Sequence, residues 1–103
     1  PVLVIASGSN RVDEQVVSDH LKAEITMADA EFVRSSTGYA IGGVPPFGHV
    51  TPIEDVVIDQ DLFNFDVVWA AAGTPRSVFP ISPRRLVEIT AGQSHRVTKG
   101  KKP

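Results

Sequence analysis

A mixed α/β fold is predicted by three features of the chain. Short apolar runs rich in β-branched residues, VLVIA (Val2 to Ala6), EDVVID (Glu54 to Asp59) and FDVVWAAAG (Phe65 to Gly73), read as strands. Between and after them, apolar residues recur at helical spacing behind good capping residues. Turn residues separate the runs at short intervals, so the elements are short and alternate.

The first strand is closed by the turn SGSN. From Asp13 the period changes: Val12, Val16, Val17 and Leu21 share one helical face, Asp13 caps the start, and the helix is expected to run to about Ala23. EITM (Glu24 to Met27) is read as a second strand. Asp29 caps a short helix through Phe32 and Val33, with Gly38 as its stop. The two strongest strand signals, Glu54 to Asp59 and Phe65 to Gly73, flank a polar turn. SVFPI (Ser77 to Ile81) is expected to pair back on the preceding strand, its Pro80 arguing for an edge or a strand end. Ser82 and Pro83 stand in cap and first-turn order for a helix that carries Leu86, Val87, Ile89 and Thr90 and stops at Gly92. The remaining QSHRVTKGKKP has room for one short strand.

Length and composition bound the function. At 103 residues the chain reads as one domain, residues 1 to 103, with a core of modest size. A hydrophobic content of 42% and a charged content of 21% belong to a folded globular protein. No apolar run approaches a membrane span and no signal-peptide pattern opens the chain, so a cytoplasmic setting and no membrane partner are expected. The absence of cysteine excludes disulfides, a thiolate nucleophile and a thiolate metal site. His20, His49 and His95 are single and scattered, so neither a metal nor a cofactor is expected. Glu54, Asp55, Asp59 and Asp61 read as a solvated strand end and turn, and no G-x-S-x-G, H-E-x-x-H or Walker pattern is present. If the chain is an enzyme, its chemistry does not come from an obvious side-chain nucleophile.

The net charge of -2 hides an asymmetry. Residues 1 to 75 carry three basic against eleven acidic side chains, whereas residues 76 to 103 carry seven basic against Glu88 alone. That basic end suits a polyanion such as RNA, or it is a solvated tail.

The densest backbone specialisation lies in TGYAIGGVPPFGH, residues 37 to 49, which holds four glycines and two consecutive prolines. Gly42, Gly43 and Gly48 let a ligand approach the main chain, and Pro45 and Pro46 stiffen the turn. Gly42, Gly43 and Val44 carry N–H donors of the kind that grip a carbonyl or stabilise an oxyanion. A tight connection that only joins a helix to a strand is the alternative.

From this loop onward the sequence resembles the YbaK/ProX family of aminoacyl-tRNA deacylases, relatives of the editing domain of bacterial prolyl-tRNA synthetases. The resemblance runs in order through KAEITMADAEFVRSSTGYAIGGVPPFGH, VVIDQDLFNFDVVWAAAGT and FPISPRRLVEIT. Gly42 to Pro46 holds the family's Gly-x-x-x-Pro signature, and Ala72-Gly73 its small-residue turn. The resemblance implies a curved, barrel-like, mostly antiparallel sheet flanked by short helices. It also implies hydrolysis of the ester joining a wrong, small amino acid to the 3′ end of a tRNA, in support of translation fidelity. A synthetase pocket separates side chains differing by one methylene by only about 1–3 kcal/mol, which is why a second site is needed. In relatives the loop contacts the aminoacyl group, and the free hydroxyl of the terminal ribose assists the attack of water. By resemblance Gly42, Gly43, Val44, Pro45 and Pro46 bind substrate, with Thr37, Tyr39 and Gly73 beside them. The implied partners are the acceptor end of an aminoacyl-tRNA and a synthetase.

Relatives also carry a functional lysine on a strand upstream of the segment matching PVLVIASG. It would precede Pro1, so no catalytic residue is assigned, and Lys22 stands in a different context. Either a segment precedes this sequence, or a shorter member without the lysine binds tRNA or a synthetase without cleaving. A sheet without its N-terminal strands exposes an edge, and pairing with a second copy is one way to cover it. At Val78 some relatives place a polar residue that reads the amino group; the other reading is a core valine. Trp69 in DVVWAAA is expected in the core, with stacking on the terminal adenine as the alternative. His49 is read as closing the turn or touching substrate, and Arg84 and Arg85 as solvated or facing phosphate.

Overall fold

The computed structural model describes residues 1–74 and 76–98. Its organising element is the strand β2 (Asp55–Asp59), whose Val56, Val57, Ile58 and Asp59 are all buried. A strand buried on both faces reads as a continuous apolar run, which is why VVI does not alternate with polar residues. On either side it pairs in parallel, with β1 (Val2–Ile5) and with β5 (Gln93–His95), giving the order β1-β2-β5.

Each face of this sheet has its own core. Val56 and Ile58 point into a cluster with Leu62, Ile81 and Leu86, while Val57 packs with Val17 and Val97 on the other side. The second cluster is covered by α1 (Glu14–Leu21), capped by Asp13 Oδ1, which accepts from the Gln15 and Val16 amides. That helix stops two residues short of the expected Ala23 because Lys22 turns left-handed (φ 56°) and the Ala23 amide closes back on the Ser18 carbonyl at 3.2 Å. The first cluster is covered by α3 (Pro83–Thr90) and by the antiparallel pair β3 (Val68–Ala71) and β4 (Val78–Ile81). Ser82 Oγ caps α3 by accepting from the Arg85 amide at 3.1 Å, with Pro83 in the first turn, as the Ser-Pro order predicts. Between α1 and β2 lies α2 (Ala30–Thr37), capped by Asp29.

Three expectations change. EITM forms no strand: the Ile25 amide donates to Ser18 Oγ at 3.2 Å instead of to a ladder, and Met27 is exposed. The polar turn after β2 is a 3-10 helix (Gln60–Asn64) capped by Asp59. The sheet is not mostly antiparallel. Three strands are parallel, two are antiparallel, and the two sheets have separate edges, so among the described residues no barrel closes. The parallel ladders follow from chain length, because β1 and β2, and β2 and β5, are joined by long connections that carry helices, whereas only the short turn between β3 and β4 allows a hairpin. Residues 99–103, part of the basic end, lie outside the described residues.

Candidate functional site

The loop leaves α2 at Gly38, whose φ of 84° suits the left-handed stop and whose amide donates to the Arg34 carbonyl at 2.8 Å. It returns to the same helix end, where the Val50 and Thr51 amides donate to the carbonyls of Thr37 and Ser36, each at 3.0 Å. Residues 38–49 are therefore a loop with its two ends clamped together, and the clamp satisfies carbonyls that a helix terminus otherwise leaves unpaired. Thr37 completes the joint. It is buried, its hydroxyl donates to the Val33 carbonyl at 2.7 Å, and its Oγ1 accepts from the Tyr39 amide at 3.0 Å.

Inside the loop, the Gly43 amide closes a turn onto the Ala40 carbonyl at 3.0 Å. Gly42 takes φ 91°, a conformation that L side chains rarely adopt. Pro45 and Pro46 are buried, and His49 Nε2–H donates to the Pro45 carbonyl at 2.6 Å. A carbonyl can only accept, so this contact sets the imidazole tautomer and gives His49 the turn-closing role. Phe47 anchors the far end edge-to-face on Phe79 of β4, with ring centroids 5.8 Å apart.

The loop meets the β3–β4 turn backbone to backbone. A Cβ on Gly43 would lie 2.8 Å from the Thr74 Cα and 3.1 Å from the Gly73 carbonyl oxygen, so glycine alone fits. Opposite, Gly73 has φ 104° and sits under the Tyr39 ring, where an added Cβ would stand 3.4 Å from Cε1. The Tyr39 hydroxyl in turn donates to the Gly48 carbonyl at 3.4 Å. The turn is stiffened by the Ala72 amide on the Ser77 carbonyl and by the Thr74 hydroxyl on Ser77 Oγ, both at 2.8 Å. Gly42, Gly43, Val44, Pro45, Pro46, Tyr39 and Gly73 thus come together around one joint, with Thr37 buried behind it.

Residues 37–49 carry no Asp, Glu, Lys or Arg, so what the loop itself contributes is backbone dipoles. The amides of Gly42 and Val44 have no hydrogen-bond partner among the described residues, whereas that of Gly43 is spent on its turn. Two donors two residues apart in a stiffened loop are of the kind that hold one developing negative oxygen.

Several residues sit elsewhere than expected. Val78 is 58% and Trp69 is 67% exposed, so neither belongs to the core. Arg84 and Arg85 are exposed, in line with their solvated reading, and Arg85 reaches Glu88 on its own helix at 3.9 Å. Asp59, read from sequence as solvated, is 1% exposed and accepts from the Ser7 amide, the Asn10 side chain and the Asp61 amide. It knots the ends of β1 and β2 together. Its place at the end of an apolar run was the only signal of that burial. His20 and His95, far apart in sequence, lie with ring centroids 3.9 Å apart. No group of three or more metal-ligating side chains occurs among the described residues.

This arrangement has relatives. Residues 1–89 match the family described as the aminoacyl-tRNA editing domain. The chain belongs to that family. It is 29% identical over 89 residues to the uncharacterized protein YwhH of Bacillus subtilis (strain 168), covering 86% of this chain and 56% of that protein. A solved structure described as a candidate trans-editing enzyme for prolyl tRNA synthetase is 40% identical with a TM-score of 0.91, over 96% of this chain and 62% of that one. A structure from work on grafting linear epitopes onto scaffold proteins is 37% identical with a TM-score of 0.91, over 97% and 64%. The chain therefore spans less than two thirds of the length of each of these relatives. No helix among the described residues is long and apolar enough to cross a membrane.

Proposed function

We propose that this editing domain hydrolyses mischarged aminoacyl-tRNA, removing a small amino acid from the acceptor end in trans. The observation that carries the reading is the Gly43 contact on Gly73 and Thr74, which holds the Gly42 and Val44 amides in a fixed frame. In the reaction the oxygen of water bonds to the ester carbonyl carbon, and the bond from that carbon to the ribose oxygen breaks. A free amino acid and a ribose hydroxyl result. The Gly42 and Val44 amides stabilise the oxyanion formed between these events, while Pro45, Pro46 and Tyr39 fix the loop around the aminoacyl group. An activated ester needs positioning and charge stabilisation more than a covalent intermediate, which accords with a loop free of nucleophiles. The ribose's free hydroxyl assists the water, as in the family it resembles. Thr37 and His49 act through the loop, as positioning residues.

Such an enzyme works in the cytoplasm on tRNA, alone or beside a synthetase. Its test is a deacylation time course against tRNAs mischarged with alanine, serine and cysteine, with spontaneous hydrolysis as baseline. Cleavage above baseline is expected, and the fastest substrate names the pocket. Folded protein with no cleavage but salt-sensitive tRNA binding would replace this reading with a binding-only member of the family. The outer edge of β1 is open among the described residues and is where a second copy would pair. A single monomeric boundary in sedimentation would remove that pairing.

A further inference from the structure

The β3–β4 hairpin has two unlike faces. Val68, Ala70, Phe79 and Ile81 turn inward onto the core cluster. The alternate positions form the cross-strand pairs Trp69 with Pro80 and Ala71 with Val78. Of these, Trp69 is 67% exposed and Val78 58%, Pro80 is exposed, and Ala71 is half-buried. An apolar, uncharged sheet face with an open indole is unusual on a soluble domain and marks an interaction surface.

Its position narrows the occupant. The strip runs straight to the turn that holds Gly73 and Thr74 against the loop, and that turn carries the exposed Arg76. At about 3.3 Å per extended residue, the four residues from Trp69 in β3 to Gly73 in the turn span at most about 13 Å. That reach corresponds to roughly three or four stacked nucleotides at about 3.4 Å each. A base has a flat π-face for the indole and polar edges that stay in water, and sheet-borne aromatics are a general way to hold unpaired bases. The charge fits as well, since residues 76 to 103 carry seven basic side chains against one acidic.

We infer that Trp69 is a stacking platform for an unpaired base of the tRNA's 3′ end, with Val78 and Pro80 as its apolar floor and Arg76 facing a phosphate. The inference rests on the proposed tRNA substrate and adds the surface that holds its single-stranded end.

Trp69 is the sole tryptophan, so its fluorescence reports on this face alone. The full chain is titrated with an acceptor-stem RNA hairpin ending in unpaired CCA and with the same hairpin blunt-ended. Saturable quenching by the overhang, and not by the blunt duplex, is expected. Binding by the variants, which lack the indole, is read from the anisotropy of a fluorescein-labelled hairpin: W69A should weaken overhang binding about tenfold or more, and W69F should restore most of it. Both substitutions fall on an exposed side chain, and circular dichroism checks the fold. Equal responses to both hairpins would overturn the inference. So would an emission shift that follows protein concentration without RNA, which would mean that a second copy covers the face. Deacylation without quenching would discard the platform and keep the hydrolase, whereas overhang-specific quenching without deacylation would do the reverse.

Discussion

The parallel-sheet core and the loop joint are held together by different things. Around β2 the cohesion is side-chain volume: Val17, Ile58, Leu86 and Val97 are all 0% exposed and fill two clusters on opposite faces. At the joint the cohesion comes from the absence of side chains. All four glycines with positive φ among the described residues, Gly38, Gly42, Gly48 and Gly73, lie in the loop or the turn it touches, and Gly43 is in backbone contact with Thr74. A core of the first kind loses stability in proportion to the atoms removed. A joint of the second kind tolerates almost no added atom, yet little of the fold depends on it. Stability and activity should therefore separate cleanly between the two.

The largest effect should come from emptying the core. Ile58→Ala removes a fully buried side chain between β2 and α3 and should cost about 2–5 kcal/mol in urea unfolding. Deacylation per folded molecule should stay near wild type. A lost activity at full folding would mean that the core also shapes the site.

Asp59→Ala should follow at about 3 kcal/mol, since it strands the Ser7 and Asp61 amides in a buried place. Asp59→Asn keeps the acceptor toward one of them and should lose less. Equal losses would show that the charge, not the geometry, ties β1 to β2.

Gly43→Ala inverts the pattern. The added Cβ would meet Thr74 backbone at 2.8–2.9 Å, so loop and turn must part by several tenths of an ångström or more. A misplacement approaching 1 Å at a positioning site costs about 100-fold in rate. The deacylation assay should show that loss, with the unfolding midpoint moved far less than by Ile58→Ala. Gly8→Ala is the control, because nothing lies within 4 Å of its added Cβ, and it should change neither quantity. A Gly43→Ala protein as active as wild type would break the comparison.

The same contrast explains what the sequence disclosed. Asp13, Asp29 and Ser82-Pro83 were readable as helix starts because a cap is a contact within four residues. The loop was readable as special because glycine and proline act on their own backbone. Pairing direction, the failure of EITM to join a sheet, the burial of Asp59 and the exposure of Trp69 and Val78 are set by partners dozens of residues away. DVVWAAA has the same apolar content whether its tryptophan faces the core or solvent, and only the register with Pro80 decides. Likewise, nothing local distinguishes Gly43, which must be glycine because of Thr74, from Gly8, which has open space around it.

Thr37 gives the smallest and most discriminating effect. Its side chain is buried in α2, and its Oγ1 serves both the Val33 carbonyl and the Tyr39 amide. If it only sets the exit angle of the loop, Thr37→Val should cost about 1–2 kcal/mol, chiefly by stranding the Tyr39 amide. Deacylation should fall severalfold through kcat, because the substrate never touches the hydroxyl and KM has no reason to rise. Thr37→Ser keeps the oxygen and should restore the rate even while losing a little stability with the methyl. A KM that rises with Thr37→Val and is not rescued by serine would instead move Thr37 from behind the joint into contact with the aminoacyl group.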